Sequence, residues 1–428
     1  MTPGARLLSI LDIINSIFSE PIDNNFSLEK IIRKWIRSNR YAGSKDRKEI
    51  INNVFAIVKR YFSLEYIKIN NTRLSEDYLD IVIIYYIFYG CGKSSLLSYF
   101  DDGPYAIKLN KNIKNYIEKT SLFSFNNIEH IKCGLPEWLY KEFYDSFGKD
   151  TYKICESLFA ESHFDIRVKN GYNRETIIYN LKKYNIIAKK TLLSPFGLRI
   201  NKRININNLK EFKTGLIEIQ DEGSQLVSLL CGAKERETII DLCAGAGGKS
   251  LFLADILKNT KIIATDINLS RLEKIKDRSI RSKLENKINI KLEYNNLNIL
   301  ADRVICDVPC SGSGAWRRRP EEKISLTESK FNDLIKTQRN ILDYGASLTK
   351  IGGELVYITC SLLNKENKCQ VNSFLFDNPT FEIVDLRYSW NNVIKSSKKY
   401  FGNDKYCQLL PNIHECDGFF IARLRKIK

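Results

Sequence analysis

Histidine is scarce in this sequence: the 428 residues include only three, which lie far apart, namely His130, His163 and His414. The eleven cysteines form no C-x-x-C pair. Since zinc clusters are built from such pairs and from nearby histidines, we expect no metal site. An odd number of cysteines is typical of proteins from a reducing compartment, so we expect a cytoplasmic protein.

Long apolar runs are lacking as well. The longest, Ile81 to Tyr89, is much shorter than the roughly 20 residues that a membrane-spanning helix needs. The N-terminal stretch from Leu7 to Phe18 has the spacing of an amphipathic helix and is interrupted by polar residues, unlike a secretion signal. We therefore expect no membrane contact and, because no coiled-coil pattern appears, a monomer.

Acidic residues are outnumbered by basic ones. The chain has 50 Asp and Glu against 67 Lys and Arg, which gives a formal net charge of +17 and a pI near 9.2. This balance favours an anionic polymer such as nucleic acid as the partner, although a Lys-, Asn- and Ile-rich coding bias also raises the lysine content. The length exceeds that of one ordinary domain and indicates two or three.

The pattern changes twice along the chain. Residues 1–150 are predicted to be almost all helix, with Ser44 as a helix N-cap and with 79–89 as a helix or a strand. This part fits a helical bundle with a solvated basic surface as well as it fits an RNA-docking module. Residues 151–215 predict a small, basic α/β layer, with a helix at 173–184 and strands at 164–168, 185–188 and 198–200.

From residue 216 onward strands and helices alternate, which predicts a doubly wound parallel sheet. The predicted strands are 237–243, 261–266, 288–294, 302–308, 353–360, 381–386 and 418–425. Ligands of such sheets bind where the strands end, near the switch point of the strand order. Four residues at or just past these ends are therefore expected along one edge, namely Gly245, Asp266, Asp307 and Cys360.

A glycine-rich turn, Asp241 to Ser250, follows the first of these strands and reads D-L-C-A-G-A-G-G-K-S. Its backbone can approach a ligand closely, and the helix that follows favours anions. The turn does not match the phosphate-binding loop motif, because Cys243 occupies the position of the motif's first glycine. It matches the dinucleotide-binding motif only in part, because Ser250 replaces the third glycine. An S-adenosylmethionine site and a turn without a ligand are the other interpretations. Asp266, after the second strand, is placed to hold a ribose.

Two cysteines follow neighbouring strand ends. Asp307 and Cys310 lie in D-V-P-C-S-G-S-G, a loop stiffened by proline and glycine, and Cys360 lies in T-C-S. Two thiols beside a methyl donor suit methylation at C5 of a pyrimidine, because a thiolate that adds to C6 makes C5 a nucleophile. A base must then remove the C5 proton, and an acid near N3 would neutralise charge. Cys306, inside its strand, is expected to be a core residue.

Residues around these motifs have further interpretations. Lys249 and the basic run 317–319 would stabilise a thiolate if they lie near it. Trp316 with the same run fits either an RNA grip or a solvated basic turn. Structural roles, as loop braces or helix starts, are predicted for Glu366, Asn367, His414, Asp417, Asp221 and Glu222.

Taken together, the motifs resemble the RNA 5-methylcytosine methyltransferases of the Sun family. The resemblance spans nearly the whole chain and includes the lead-in at 219–225, the glycine turn at 241–249, D-V-P-C-S-G-S-G at 307–314, R-R-R-P-E at 317–321, T-C-S at 359–361 and D-G-F-F at 417–420. The N-terminal part, with G-S-K-D-R at 43–47, resembles a NusB-like helical domain.

The resemblance implies a fold of class α/β and an order of domains. It implies a Rossmann-like, S-adenosylmethionine-dependent methyltransferase sheet at 216–428, preceded by an all-helical NusB-like RNA-binding domain at 1–150 and a small α/β linker module at 151–215. It also implies methylation of a cytosine in RNA, and the NusB-like domain favours 16S ribosomal RNA. The alternatives are a transfer RNA methyltransferase with the same chemistry and an RNA-binding assembly factor without activity.

Roles of single residues are implied in the same way. The cofactor S-adenosylmethionine would be bound by the turn residues Cys243, Ala244, Gly245, Ala246, Gly247, Gly248 and Lys249. Asp266 would hold the ribose hydroxyls, and Asp307 would lie between the cofactor and the target cytosine. Cys360 would be the nucleophile, and Cys310 would assist release of the methylated product.

Two departures from the family's pattern stand out. Gly245 and Ala246 replace the usual alanine and proline, so the turn should be more flexible. An acid that contacts the adenine end of the cofactor usually follows the third strand, where this chain has Glu293, Tyr294 and Asn295.

Overall fold

The computed structural model describes residues 1–19, 27–70, 74, 78–121, 128–292, 297–394 and 405–428. These residues form two compact units, of which one comprises Met1–Ala160 with Trp316–Glu328 and the other Glu161–Ala315 with Ser329–Lys428. No helix in the described ranges combines the length and the apolar character that a bilayer crossing requires. The three-part division at residues 150 and 215 and the likeness to NusB stay predictions.

The first unit is helical, as predicted. Its helices are Pro3–Phe18, Leu28–Ser38, Ser44–Lys59, Tyr61–Ile69, Leu79–Tyr89, Gly92–Leu97, Lys111–Lys119, Glu129–Lys132, Glu137–Phe147, Thr151–Phe159 and Pro320–Ser325. Apolar side chains at helical spacing, such as the fully buried Ile10 and Ile84, join in one core. The stretch 79–89, which the pattern left open, is a helix. The N-cap prediction is wrong by one residue, because Ser44 is already helical and Gly43 is the cap.

A segment from the second half of the sequence, Trp316–Glu328, belongs to this helical unit. Trp316 is 2% exposed and packs against Phe143, with ring centroids 5.9 Å apart. Arg317 is buried as well. Both predicted roles, an RNA grip and a solvated basic turn, are therefore wrong for Trp316 and Arg317, because both side chains lie in the interior of the unit.

Charged side chains of this segment bind the ends of helices. Glu321 Oε1 accepts a hydrogen bond of 3.2 Å from the backbone N of Leu28, which begins a helix. Lys323 Nζ donates to two carbonyl oxygens. One, 2.6 Å away, belongs to Lys59 at the end of helix Ser44–Lys59, and the other, 2.8 Å away, belongs to Gly134 just past the end of helix Glu129–Lys132. An acid at a helix N-terminus and a base at two C-termini match the helix dipoles, so these contacts hold the segment in place.

The second unit contains two sheets, of which the smaller is antiparallel. Its strands are β1 (Phe164–Val168), β2 (Ala188–Lys190), β3 (Gly197–Ile200) and β4 (Ile217–Ile219), in the order β2-β3-β1-β4. Helix Arg174–Lys182 covers one face, and a short helix, Lys210–Lys213, precedes β4. The predicted helix 173–184 is confirmed as Arg174–Lys182, which is slightly shorter. The predicted strand 185–188 is misplaced, because β2 begins only at Ala188 and Asn185 has a left-handed backbone (φ 58°) just after the helix. The unpredicted β4 lies past residue 215.

The larger sheet has eight strands. They are β5 (Thr238–Asp241), β6 (Lys261–Ala264), β7 (Ile288–Ile290), β8 (Ala301–Asp307), β9 (Thr349–Thr359), β10 (Phe381–Val384), β11 (Cys407–Leu409) and β12 (Phe419–Lys426). The order is β10-β12-β9-β8-β5-β6-β7, and the unpredicted β11 pairs with β12. The main helices around it are Glu222–Leu230, Gly248–Ile256, Leu269–Leu272, Lys274–Ser282, Glu328–Ser347, Lys368–Asp377, Leu386–Ile394 and Pro411–His414.

The sheet is parallel from β9 to β7, but β12 runs antiparallel to its neighbours β9 and β10. The prediction of a wholly parallel sheet is therefore wrong at this edge. A parallel strand needs a long crossover connection, whereas β12 follows β11 closely and pairs with it in antiparallel fashion.

The strand order reverses between β5 and β8. From β5 the chain goes outward to β6 and β7 on one side, and it then returns to β8 and β9 on the other. Apolar side chains cover both faces, so neighbouring residues of one strand, such as Ile239 and Ile240, are both fully buried. The carboxyl ends of β5 and β8 therefore border the crevice in which a ligand of such a sheet binds.

Lys323→Met should lower the urea midpoint of unfolding of the helical unit. Two buried carbonyl groups would lose their donor, which costs about 1–3 kcal/mol. The measurement is circular dichroism of the full chain in urea. Lys336→Met is the matched control, because the Lys336 side chain is 77% exposed and its loss should leave the midpoint unchanged. Equal midpoints for both variants would contradict the role of Lys323.

Candidate active site

The glycine turn connects β5 to helix Gly248–Ile256. Gly245 and Gly247 have left-handed backbones, with φ of 54° and 80°. A side chain at Gly247 would meet Ile275, because its Cβ would lie 2.8 Å from Ile275 Cγ1. Glycine is therefore required there, and the turn closes tightly, with Gly247 N donating to Ala244 O at 2.8 Å.

The predicted cofactor-binding residues of the turn differ in exposure. Half-buried residues are Cys243, Ala244, Ala246 and Gly248, and buried ones are Gly245, Gly247 and Lys249. All of them follow β5, whose carboxyl end borders the crevice between β5 and β8. The expected adenine-contacting position, Glu293 to Asn295, lies outside the described residues.

Asp241 begins the turn as a buried carboxyl group. Its Oδ2 accepts a hydrogen bond of 2.6 Å from Ser250 Oγ in the following helix. Burial raises the pKa of Asp241 from 3.8 to about 7. This group therefore joins the end of β5 to the first helical turn, and its ionisation in the folded protein costs free energy.

Asp266 follows β6 and binds the same turn. Its Oδ2 accepts from the backbone N of Gly245 at 2.7 Å, and its Oδ1 accepts from the backbone N of Asn268 at 2.7 Å. Each carboxylate oxygen keeps a further lone pair. The structure thus brings the turn and the predicted ribose-binding acid together.

Arg271 is a member of this site that the sequence analysis missed. Its guanidinium covers the turn, since a Cβ on Gly245 would lie 2.5 Å from Arg271 Nη2. Asn268, whose Oδ1 accepts from the backbone N of Arg271 at 3.1 Å, caps the short helix that presents this arginine. The only sequence signal was an arginine one helical turn beyond Asp266, which by itself is common.

Lys249 and Asp307 form an ion pair at the crevice. Burial alone lowers the pKa of Lys249, but the Asp307 carboxylate outweighs burial, so that the pKa of Lys249 is raised. The Asp307 side chain remains 29% exposed. Charge also couples Lys249 to Cys360, which is among the causes that raise the lysine pKa. The expected electrostatic help for a thiolate therefore comes from Lys249 within this unit.

The two predicted thiols lie in contact. The Sγ atoms of Cys310 and Cys360 are 3.4 Å apart, and both residues are half-buried. The hydrogen bond to Cys360 and burial raise the pKa of Cys310. Either of the two sulfur atoms can be the donor in this contact. Cys306 is fully buried inside β8, which confirms its prediction as a core residue.

The carboxyl group of Glu366 joins the loops that carry the two thiols. Its Oε1 accepts from the backbone N of Ser311, at 2.8 Å, and from Gln338 Nε2, at 2.9 Å. Its Oε2 accepts from the hydroxyl groups of Ser311 and Ser361. Ser311 and Ser361 directly follow Cys310 and Cys360. The predicted brace is therefore confirmed, and it holds both cysteine loops rather than one.

Other predicted structural residues have the expected contacts. Asn367 Nδ2 donates to Ser361 O at 2.9 Å. His414 Nδ1 accepts from the backbone N of Leu410 at 2.8 Å. Asp221 accepts from the backbone N of Gly223 at 2.8 Å at a helix start. Among the residues that the structure describes, no group of three or more His, Cys, Asp or Glu is arranged to hold a metal ion.

Sequence comparisons find relatives of one kind. A family model described as 16S rRNA methyltransferase RsmB/F matches residues 228–425. A Bacillus subtilis protein named probable ribosomal RNA small subunit methyltransferase B is 32% identical over 324 residues, and the match covers 72% of each chain. A Shewanella oneidensis protein named ribosomal RNA small subunit methyltransferase B is 29% identical over 308 residues, with 70% of this chain and 69% of the relative covered.

Solved structures share the fold. The crystal structure of PH0851 covers 98% of this chain and 99% of its own, with a TM-score of 0.77 and 23% identity. The structure of NSun6 from Pyrococcus horikoshii with SFG covers 69% of this chain and 99% of its own, with a TM-score of 0.58 and 22% identity. At these identities the likeness concerns the fold alone.

The strand order and the glycine turn define a Rossmann-like fold of the S-adenosylmethionine-dependent methyltransferases. Within this class, the identity to the Bacillus subtilis relative and the length of that match decide the family. The chain belongs to the family of ribosomal RNA small subunit methyltransferase B. The resemblance to the Sun family that the motifs indicated is thereby confirmed.

Asp241→Asn should change how stability depends on pH. Because burial raises the pKa of Asp241 to about 7 in the folded protein, the wild type loses stability as the pH rises towards and through 7. The amide does not ionise and can keep the bond to Ser250. The thermal midpoint of the variant, relative to that of the wild type, should therefore be higher at about pH 8 than at about pH 5.

Asp302→Asn serves as the control, because the pKa of Asp302 is shifted in the opposite direction to that of Asp241. Burial alone raises the pKa of Asp302, but hydrogen bonds from Lys350 Nζ and from the backbone N of Thr238 outweigh it and lower that pKa. This carboxylate stabilises the fold above its unfolded pKa, so the variant should be less stable at both pH values. Parallel pH profiles for the wild type and Asp241→Asn would contradict the assignment.

Proposed function

We propose that this protein transfers a methyl group to C5 of a cytosine in 16S ribosomal RNA, through a covalent bond between Cys360 and C6 of the base. The observation that carries the proposal is the pair of sulfur atoms of Cys310 and Cys360, 3.4 Å apart beyond the adjacent strands β8 and β9. With two thiols, one can add to C6 of the base and the other can assist release of the methylated base from the enzyme. The names of the relatives support ribosomal RNA as the substrate.

The chemistry of the turn fits S-adenosylmethionine. The Asp266 carboxylate suits the ribose hydroxyls. Residues 243–249 have mostly small side chains, so their backbone can contact the cofactor. The Arg271 guanidinium and the N-terminus of helix Gly248–Ile256 suit the carboxylate of the cofactor. When bound there, S-adenosylmethionine supplies an activated methyl group.

Cys360 adds to C6 as a thiolate. In this proposal Cys310 keeps its proton and is the donor in its 3.4 Å contact with Cys360, in which either sulfur can donate. The hydrogen bond to Cys360 and burial raise the pKa of Cys310, which agrees with this role. The Lys249 ammonium favours the negative charge on Cys360 electrostatically. The nucleophile is therefore the thiol that receives a hydrogen bond and faces a cation.

Asp307 and Cys310 act on either side of the covalent adduct. Addition of the thiolate to C6 places negative charge on the ring. In this proposal the protonated Asp307 carboxyl group gives its proton to N3, which neutralises that charge, and the resulting carboxylate is stabilised by its ion pair with Lys249. After methylation a base takes the C5 proton, the electron pair of the C5–H bond forms the C5–C6 double bond, and the electron pair of the C6–S bond returns to Cys360. The N3 proton returns to Asp307, and Cys310 assists the release of the Cys360 sulfur. The target cytosine must leave any base stack to reach both sulfur atoms.

The remaining parts of the chain supply RNA contacts. We keep the division into a NusB-like domain at 1–150, a linker module at 151–215 and a catalytic domain at 216–428 as part of this proposal. Its rivals are a transfer RNA methyltransferase with the same site and an assembly factor without activity, and trapping the RNA separates them.

Cys310→Ala should accumulate protein that is covalently bound to RNA in cells. Without Cys310 the adduct forms, but the Cys360 thiolate is not released. The measurement is recovery of the variant under denaturing conditions, followed by sequencing of the attached RNA. We expect 16S ribosomal RNA with one predominant site.

Two further variants decide the roles. Cys360→Ala alone and Cys310→Ala with Cys360→Ala should carry no RNA, because the nucleophile is missing. Recovery of RNA from Cys360→Ala would make Cys310 the nucleophile. Attached transfer RNA would favour the rival substrate, and absence of any adduct from all variants would favour the inactive assembly factor.

Asp266→Ala should weaken binding of S-adenosylmethionine about 10-fold or more, because a charge-assisted hydrogen bond to the ribose is worth roughly 1.5–3 kcal/mol. Isothermal titration calorimetry measures this affinity in the full chain. Asp277→Ala is the matched control, because Asp277 is an exposed acid on the neighbouring helix Lys274–Ser282. Equal affinities for the two variants would remove Asp266 from the cofactor site.

A further inference from the structure

Positive charge is concentrated around the smaller sheet. Residues 161–215 contain twelve Lys and Arg but only four Asp and Glu, so they carry +8 of the net charge of +17. Two of these cations are buried in ion pairs, Arg167 with Asp255 and Arg199 with Asp165. Most of the lysines are exposed instead. The outer surface of this sheet is therefore basic.

Exposed tyrosines lie among these lysines where helix Arg174–Lys182 ends. Tyr179 and Tyr184 are 65% and 47% exposed. Lys183 Nζ lies 4.9 Å from the centre of the Tyr179 ring. Lys183 thus covers one face of the Tyr179 ring, and the rest of that ring and the Tyr184 ring, close to it in the chain, are open to solvent.

The same surface continues onto the edge of the sheet. Ile187, which is 67% exposed, accepts a hydrogen bond of 3.1 Å at its carbonyl from the backbone N of Asn201. This pairing brings the exposed Lys202 beside it. We name the surface the tyrosine–lysine patch, and its members are Tyr179, Lys182, Lys183, Tyr184, Ile187 and Lys202. Within the described ranges, none of its three lysines takes part in an ion pair.

Buried ion pairs fix the smaller sheet to the catalytic part of the same unit. Arg199 binds Asp165, at 2.8 Å, and also Glu222, at 3.3 Å, at the start of helix Glu222–Leu230. Arg167 binds Asp255, at 3.1 Å, in the helix that follows the glycine turn. RNA that is held on the patch would thus be held at a fixed place relative to Cys360.

We propose that the tyrosine–lysine patch binds a single-stranded segment of the substrate RNA. Bases stack on Tyr179 and Tyr184, and phosphates contact Lys182, Lys183 and Lys202. Exposed rings beside unpaired ammonium groups match this partner, because a single strand offers base faces that a duplex keeps in its stack. The proposal rests on the proposed function only in taking RNA as the substrate.

The test measures RNA affinity of the full chain by fluorescence anisotropy. The probe is a labelled single-stranded RNA of about 12 nucleotides, compared with a duplex of the same sequence. Tyr179→Ala with Tyr184→Ala should weaken single-strand binding about 10-fold or more and leave the salt dependence unchanged. Lys182→Gln with Lys183→Gln should make the slope of log affinity against log salt shallower by about 1.4, since each phosphate contact contributes roughly 0.7.

Matched controls lie elsewhere in the same unit. Tyr388 is 78% exposed in helix Leu386–Ile394, and Lys258 and Lys261 are exposed just before β6 and at its start. Tyr388→Ala, and Lys258→Gln with Lys261→Gln, should bind the probe as the wild type does. Affinity for S-adenosylmethionine should be unchanged in all four variants, which shows that the fold is intact.

Three results would overturn the proposal: unchanged single-strand affinity in the tyrosine variant, an equal loss in the controls, or an equal loss for the duplex. These readouts do not involve catalysis. If the proposed role of Cys360 is wrong, adduct trapping fails while the differences in RNA affinity persist, so the two failures are distinguishable.

Discussion

The chemistry of the site depends on the buried carboxyl group of Glu366. Cys310 and Cys360 lie on loops that follow different strands, and adjacent strands alone would leave their loops free to diverge. Glu366 receives hydrogen bonds from the residue after each cysteine, Ser311 and Ser361. Burial raises the pKa of Glu366, and hydrogen bonds from both serines oppose this rise. A fully buried acid is costly unless its oxygens are satisfied, so the two loops must stay together to satisfy it.

The topology of the sheet supplies the other half of the arrangement. Since β5, β8 and β9 are parallel neighbours, the glycine turn, the Asp307 loop and the Cys360 loop all leave the sheet at one edge. Lys249, on the helix after the turn, then lies close enough to bind Asp307 and to interact with Cys360. The Lys249 ammonium thus lies next to the glycine turn, pairs with Asp307 and interacts with Cys360. These negative partners explain why Lys249 is buried and yet remains charged.

Much of this site could be predicted from the sequence, because its residues follow strands whose apolar, β-branched character is easy to recognise. The turn, Asp266, Asp307 and both cysteines needed only strand order and spacing. Arg271 was missed because nothing but the left-handed turn at Gly245 places it over the site. The strand at β12 was predicted, but its antiparallel direction was missed, because the direction of a strand depends on its connection to the previous strand rather than on its own sequence. Trp316 and Arg317 were misjudged because a basic run looks solvated, whereas Trp316 packs against Phe143 and both side chains are buried.

The positive charge of the chain is concentrated away from the crevice that holds the two thiols. Around the crevice the carboxylates of Asp266 and Asp307 are matched in number by the cations of Lys249 and Arg271, and burial raises the pKa of Asp241 to about 7, although the chain as a whole carries +17. A crevice without an excess of positive charge does not by itself attract a polyanion, so the proposed attraction for RNA must come from surfaces outside it. The residues around the smaller sheet hold +8 of that charge and are joined to the catalytic sheet by buried ion pairs. If the attraction acts away from the thiols, as proposed, the crevice can keep the carboxylates of Asp266 and Asp307, which the proposed roles towards the ribose and N3 require, without weakening the binding of RNA.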